Sequence, residues 1–416
     1  MTSDVKQTAT LLDRGDVRVS HDAGISAKIR SSIDKVRSGD LGSLPVVVGL
    51  VIIWTVFGTL NPTFLSSNNL ANLLFDASTV GVISLGIVCV LMVGEIDLSV
   101  GSISGFASAM VGMLWVNQGW PVAAAIIAAV LVGGLIGSLY ALLFNRLGMP
   151  SFVSTLAGLL AVLGMQLYLL GATGSINLPY GSSLVNFGQL LVIPRPLAYL
   201  FALLPGVVML IAGYRAAQRR RRANLSSRSI GGLVTSVAAI TILLEFVVFY
   251  LNQDRGIPWM FALFVVLAIV MNYALTRTQW GRSMAAVGGN REAARRAGIN
   301  VRRIYTSAFV LCAMFAALGG VLAAARLASA SQQAGTGDVN LNAIAAAVIG
   351  GTSLFGGRGS AYSALLGIIV IQSIASGLTM LDLSSALRYM ITGAVLAIAV
   401  IVDSLARRSR VSHGRA

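Results

Sequence analysis

The sequence predicts an all-α polytopic membrane protein, a bundle of about 10–12 transmembrane helices with both termini cytoplasmic. Three observations carry that prediction. Of the 416 residues, 56% are hydrophobic and only 11% are charged, against about 25% charged in soluble domains. The apolar residues fall into a dozen runs, most of them close to the roughly 20 residues needed to cross about 30 Å of hydrocarbon. The basic residues collect in the polar stretches between those runs, most densely in 215–228 and 277–303.

Taken in order, the chain opens on a polar arm, 1–43, carrying Arg14, Arg18, Lys28, Arg30, Lys35 and Arg37 and lacking the apolar core of a signal peptide. A transmembrane domain is expected over 44–404, with spans near 44–60, 71–93, 99–117, 121–144, 152–170, 196–213, 229–251, 257–275, 304–325, 341–355, 360–378 and 386–403. A basic tail, 405–416, closes the chain with Arg407, Arg408, Arg410 and Arg415. Counting spans alternately from a cytoplasmic arm puts the 215–228 and 277–303 loops and the tail on one side, which is the positive-inside pattern. Asn117–Trp120, Gly171–Arg195 and Leu327–Asn340 then read as external connections. The formal charge of +15 therefore speaks for topology and not for nucleic acid.

Two stretches interrupt the plain bundle. Gly94–Ser102 places Glu95 and Asp97 between two apolar runs, and Gly350–Ser360 packs five glycines around Thr352 and Ser353. Gly-rich breaks survive at membrane depth only where they face protein or a watery cavity, and paired breaks mark translocation pathways. Glu95, Asp97, Ser99, Gly351, Thr352 and Ser353 are therefore the candidate pathway or structural-core residues; two tight hairpin turns are the plain alternative. Glu95 and Asp97 would point about 200° apart on a helix, which argues against a shared-proton dyad, and Asp97 is placed to meet N–H groups at the start of the following helix. Asp76 and Glu245 also lie in apolar runs, without an assignable partner.

A phosphate-binding Gly-x-x-x-x-Gly-Lys-Ser/Thr loop is missing, and the two histidines, His21 and His413, are in the tails. No catalytic, cofactor or metal residues are assigned. Cys89 and Cys312, both in apolar runs, read as packing residues. Uphill transport would draw on an ion gradient or on a separate ATPase. Within 277–303, Asn290 is a good N-cap, Glu292 suits the positive helix end, and Gly298 supplies a left-handed C-cap. The short helix so defined suits either a partner's groove or an anionic lipid surface.

The Gly94–Ser102, Gly288–Val301 and Gly350–Gly359 stretches resemble three signature regions of the permease subunits of bacterial ATP-driven carbohydrate importers. Pro150–Gly158, Leu251–Pro258 and the arginine-rich linker with its flanking spans, 196–251, are similar to the xylose-type branch. The resemblance runs from about residue 45 to the end. It implies two cytoplasmic ATPase domains that bind ATP–Mg, an extracytoplasmic sugar-binding protein and a second permease copy, with no cofactor in this chain. It also implies residence in the bacterial inner membrane and a monosaccharide, xylose or a related pentose, as the solute. Asn290, Glu292, Ala293, Ala294, Arg295 and Gly298 are then the ATPase-coupling residues, although Arg296-Ala297 stands where relatives commonly have Leu-Ser. A nucleoside or other small-solute permease is the nearest alternative. A stand-alone transporter using Glu95 or Asp97 as the titrating group belongs to a different class.

Overall fold

The computed structural model describes residues 44–225 and 230–384, with scattered positions up to 401. The arm 1–43, parts of the expected 386–403 span and the tail 405–416 lie outside the described residues. Among those described, nine helices are long and apolar enough to cross a membrane, and two shorter apolar helices accompany them. The chain divides into two compact units, 193–256 and the remainder of the described bundle.

The larger unit begins with α1 (Leu44–Leu60), α2 (Ser67–Met92) and α3 (Val100–Val111), which runs on as a π-helical segment, Gly112–Asn117. It continues through α4 (Val122–Leu147), α5 (Ser151–Leu170), β1 (Ser175–Asn177) and α6 (Ser183–Gln189). The smaller unit is a hairpin of α7 (Arg195–Arg222) and α8 (Ile230–Leu251), with Arg219–Arg222 forming the last turn of α7. The larger unit then resumes with α9 (Trp259–Arg277), α10 (Gln279–Gly289), α11 (Arg291–Arg296), α12 (Val301–Leu327), β2 (Ser329–Ser331), α13 (Val339–Ile349) and α14 (Ala361–Met380). Several starts are set by proline: Pro121, Pro150, Pro194 and Pro258 immediately precede α4, α5, α7 and α9. There the missing N–H costs nothing, because the first N–H groups of a helix have no partner within it.

The core of the larger unit is built on α2 and α12. Every residue of α2 from Gly81 to Met92 is buried, while Leu131, Leu135 and Leu139 of α4 leave a side open to lipid. In a bilayer there is no water to expel between apolar helices, so attraction comes from close packing around small residues. At Gly320 of α12 the approach is so tight that a Cβ would overlap the Ser104 carbonyl of α3. Asp76 of α2, which has no partner identifiable in the sequence, meets Arg326 of α12: the guanidinium Nε donates to Oδ1 at 2.7 Å and Nη2 donates to Asn72 Oδ1 at 3.3 Å.

Leu327–Asn340 is more than a connection at the helix ends. β2 pairs antiparallel with β1, Ser175 opposite Ser331, and the chain then runs back along α3. Ala330 lies against Gly112, and five residues later Gly335 lies against Gly101. Non-helical backbone at this depth needs internal partners. Gln166, fully buried in α5, supplies them, donating to the carbonyls of Ser331 (2.9 Å) and Ala334 (3.0 Å). The apolar run at 341–355 yields only the 11-residue α13, about 16 Å long and too short to span by itself.

Candidate functional site

Two non-helical segments meet inside the larger unit. The first is the break between α2 and α3. Asp97 is fully buried there, and its Oδ1 accepts from the Ser99 N–H (2.8 Å) and the Ser99 hydroxyl (2.6 Å). Ser99 occupies the N-cap position of α3, so Asp97 fixes the cap residue from two positions upstream. Tyr140 of α4 and Cys312 of α12 flank the carboxylate. The Leu98 N–H donates to Thr155 Oγ1 of α5 at 3.2 Å. The second segment is 332–338: just after it, Asn340 Nδ2 in the first turn of α13 donates to the Leu98 carbonyl at 2.7 Å and joins the two. Buried hydroxyls of Ser102, Ser104 and Ser108 follow along α3. The arrangement can hydrogen-bond a polar solute but holds no nucleophile–base pair, and among the described residues no three His, Cys, Asp or Glu side chains gather to hold a metal.

Glu95 turns away from this interior. It is half-buried, and its Oε2 accepts from Ser151 Oγ, at the start of α5, at 2.5 Å. Burial raises its carboxyl above the usual glutamate range, opposed by the Ser151 hydrogen bond and by the charge of Arg291. The two carboxylates singled out in the sequence therefore serve different neighbours.

Gly351, Thr352 and Ser353 lie near one end of the bundle. Thr352 is buried beside Gly359, and the Ser353 N–H donates to the Arg358 carbonyl at 3.0 Å. The Gly357 N–H donates to the Met92 carbonyl at 2.9 Å, and Gly356 lies against Gly94 and Gly288. The three segments that stood out in the sequence thus converge where α2 ends. The break that joins Gly94–Ser102 in the interior is nevertheless 332–338, through Asn340 at the start of α13, and not Gly350–Ser360.

At that same end stands α11. Asn290 Oδ1 accepts from the Ala293 N–H at 2.9 Å. At the other terminus the Ile299 and Gly298 N–H groups donate to the Ala294 and Arg295 carbonyls, both at 3.1 Å, with Gly298 at φ +82°. That double bond is a Schellman closure, which needs the left-handed residue glycine adopts without strain. Glu292, Ala293 and Arg295 are exposed and Ala294 is buried. Glu292 pairs with Arg295 (2.9 Å) and Arg296 (3.2 Å). These hydrogen bonds pull its carboxyl below the usual range, and the partnership raises the Arg295 guanidinium.

A family model described as the permease component of branched-chain amino acid transport systems matches residues 69–400. The chain belongs to this permease family. It is 34% identical over 364 residues to the xylose transport system permease protein of Escherichia coli (strain K12), covering 87% of this chain and 90% of that one. It is 31% identical over 376 residues to the protein of the same description from Haemophilus influenzae, covering 89% and 98%. It is also 28% identical over 361 residues to the ribose import permease protein of Escherichia coli (strain K12), covering 86% and 92%. No solved structure matches the chain significantly. As a multi-pass permease it is a transporter subunit, and the residues assembled above are the parts of its structure that bear polar chemistry.

Gln166, Asn340 and Ser151 join the site from outside the sequence reading. Gln166 carried a signal, being a lone amide inside an apolar run, where a polar group is costly. Asn340 carried none, since asparagine is ordinary near helix ends, and Ser151 carried only its place in the Pro150–Gly158 resemblance.

Proposed function

We propose that the chain is the membrane-spanning subunit of an ATP-driven importer that moves a monosaccharide, xylose or a related pentose, inward by alternating access. In this reading it lies in the inner membrane with both termini cytoplasmic, pairs with a second copy, receives sugar from an extracytoplasmic binding protein and leaves ATP–Mg to partner ATPases. The observation that carries the reading is α11, a short helix capped at both ends, charged and exposed on one face, at the end of the bundle where the other signature segments meet. Names of relatives, a xylose transport system permease and a ribose import permease, support the sugar class. The seam of Ser99, Ser102, Asn340 and Gln166, whose donors are bonded within the chain in this arrangement, consists of hydroxyl and amide groups of the kind that pair with sugar hydroxyls. A ligand that favours one arrangement of the spans shifts their populations only by its differential affinity, so ATP-driven closure of the partner must act on the permease through α11.

The test is uptake of labelled xylose into proteoliposomes holding the chain with its ATPase and binding protein. Uptake that needs all three components and ATP is expected. Uptake by the chain alone, driven by a pH gradient, would overturn the reading in favour of a proton-coupled carrier, and ATP-dependent uptake of a nucleoside in place of xylose would overturn the substrate class.

A further inference from the structure

The two faces of α11 are built differently. Glu292, Arg295 and Arg296, three and four positions apart, pair with one another on the exposed face. Arg291 and Ala294, three apart, share the other face: Ala294 is buried, and Arg291, though exposed, reaches over neighbouring rings. The Arg291 guanidinium carbon lies 5.4 Å from the centroid of the Tyr305 ring and 5.8 Å from that of Phe144. Those rings belong to α12 and α4, and their centroids are 4.7 Å apart; Phe144 also meets Phe309 of α12 at 5.9 Å. The charge of Arg291 reaches Glu95, whose carboxylate in turn holds Ser151 at the start of α5. One guanidinium therefore lies over rings of α4 and α12, while its charge is felt at Glu95 in the break between α2 and α3.

Resting on the reading of α11 as the helix that faces the ATPase, we propose that Arg291 is the positioning residue that carries displacement of α11 into the Gly94–Ser99 break. The Ala294 methyl gives contact without direction and lets neighbours slide. A cation over two rings is directional, so moving α11 without moving α4 and α12 separates favourable partners. Arginine suits both tasks because its planar guanidinium stacks on aromatic faces and its charge is permanent, whereas lysine offers a compact, strongly hydrated point charge. The outer charges remain available to a partner, so gripping the ATPase and transmitting its motion fall to different side chains of one short helix.

The experiment compares sugar transported per ATP hydrolysed in proteoliposomes of the full complex, together with ATPase co-purification and thermal unfolding of each variant. Arg291→Ala is expected to lower the transport-to-hydrolysis ratio about five- to tenfold, the scale of a single coupling link, while ATPase binding and unfolding temperature stay near wild type. Arg291→Lys should fall between the two. Glu95→Gln should lower the ratio in part, and Arg291→Ala with Glu95→Gln should be no worse than Arg291→Ala alone, since both act on one link. If Arg291→Ala does not accumulate, Arg291→Gln, which keeps the stem and loses the charge, takes its place. An unchanged ratio, loss of the ATPase from the Arg291 variants or an additive double variant would overturn the proposal. A wild-type complex that couples normally beside a fully coupled Arg291→Ala removes this inference alone; a wild-type chain that binds no ATPase removes the function it rests on as well.

Discussion

At Asp97 an ionisable group is fully buried with two donors from a single residue, the N–H and hydroxyl of Ser99. Asn at this position keeps one carbonyl acceptor, so both contacts persist as weaker neutral hydrogen bonds. Ala removes the acceptor and leaves buried donors unpaired, at about 1–3 kcal/mol for each. Unfolding temperature and membrane abundance should fall in the order wild type, Asp97→Asn, Asp97→Ala, with the pH dependence of uptake unchanged. Normal abundance of Asp97→Asn with pH-insensitive uptake would make Asp97 a proton carrier. Glu95 responds differently to pH. Its carboxyl is raised in the folded chain, chiefly by burial, so its contribution to stability is fully present below the unfolded pKa and is lost as pH rises through the folded one. Glu95→Gln keeps an acceptor for Ser151 and carries no charge to desolvate. Its unfolding temperature relative to wild type should therefore climb as pH goes from about 4 to 7, measured by a thermal-shift assay across that range; a relative fall would mean that Arg291 outweighs burial. The sequence shows that these two carboxylates are unusual, but a spacing of two residues on non-helical backbone does not say which neighbour each will meet.

Among the elements, α11 was the most legible, because its caps are local: Asn290, Glu292 and Gly298 define a helix within nine residues, and the backbone closes as those residues dictate. Its inward face was not legible, since Arg291 is one arginine among several until Phe144 and Tyr305 arrive from distant spans. The same holds for the stretch from β2 to α13, where the Ser331 and Ala334 carbonyls are satisfied by Gln166, more than 160 positions earlier. Gly298 gives the element its test. A Cβ there would meet nothing within 4 Å, yet φ is +82°, so valine costs backbone strain of about 1–3 kcal/mol and no volume. Gly298→Val should keep normal membrane abundance and lose ATPase co-purification, and Gly298→Asn, which tolerates the left-handed region better, should recover most of it. Glu292→Lys gathers three cations where two ion pairs stood and should act in the same direction. Retention of the ATPase and of transport by both Gly298→Val and Glu292→Lys would leave α11 as a helix lying on lipid.

At the scale of the whole molecule, the spans of the sequence and the helices of the structure coincide closely, because a run of some 20 apolar residues in hydrocarbon has few ways to satisfy its backbone other than a helix. The expected side of each loop can be read by labelling. An impermeant maleimide added to intact cells should modify Ala172→Cys, in the exposed stretch after α5, and spare Ser283→Cys until the cells are opened. Cys89 and Cys312 are buried and contribute little background. Modification of Ser283→Cys from outside would invert the topology. The pairing of β1 with β2 also bears on how the molecule is made. Ser331 follows Ser175 by about 150 positions, so at a synthesis rate of about 5–20 residues per second β1 waits roughly 8–30 s for its partner. Throughout that interval α4, α5 and the α7–α8 hairpin must enter the bilayer and hold their places without it, and only the arrival of β2 lets Gln166 find its two carbonyls. The end of the molecule that carries the strand pair thus stays open until the chain has passed Ser331, and a ribosome stalled before Ser329 would leave spans inserted around an interior not yet closed.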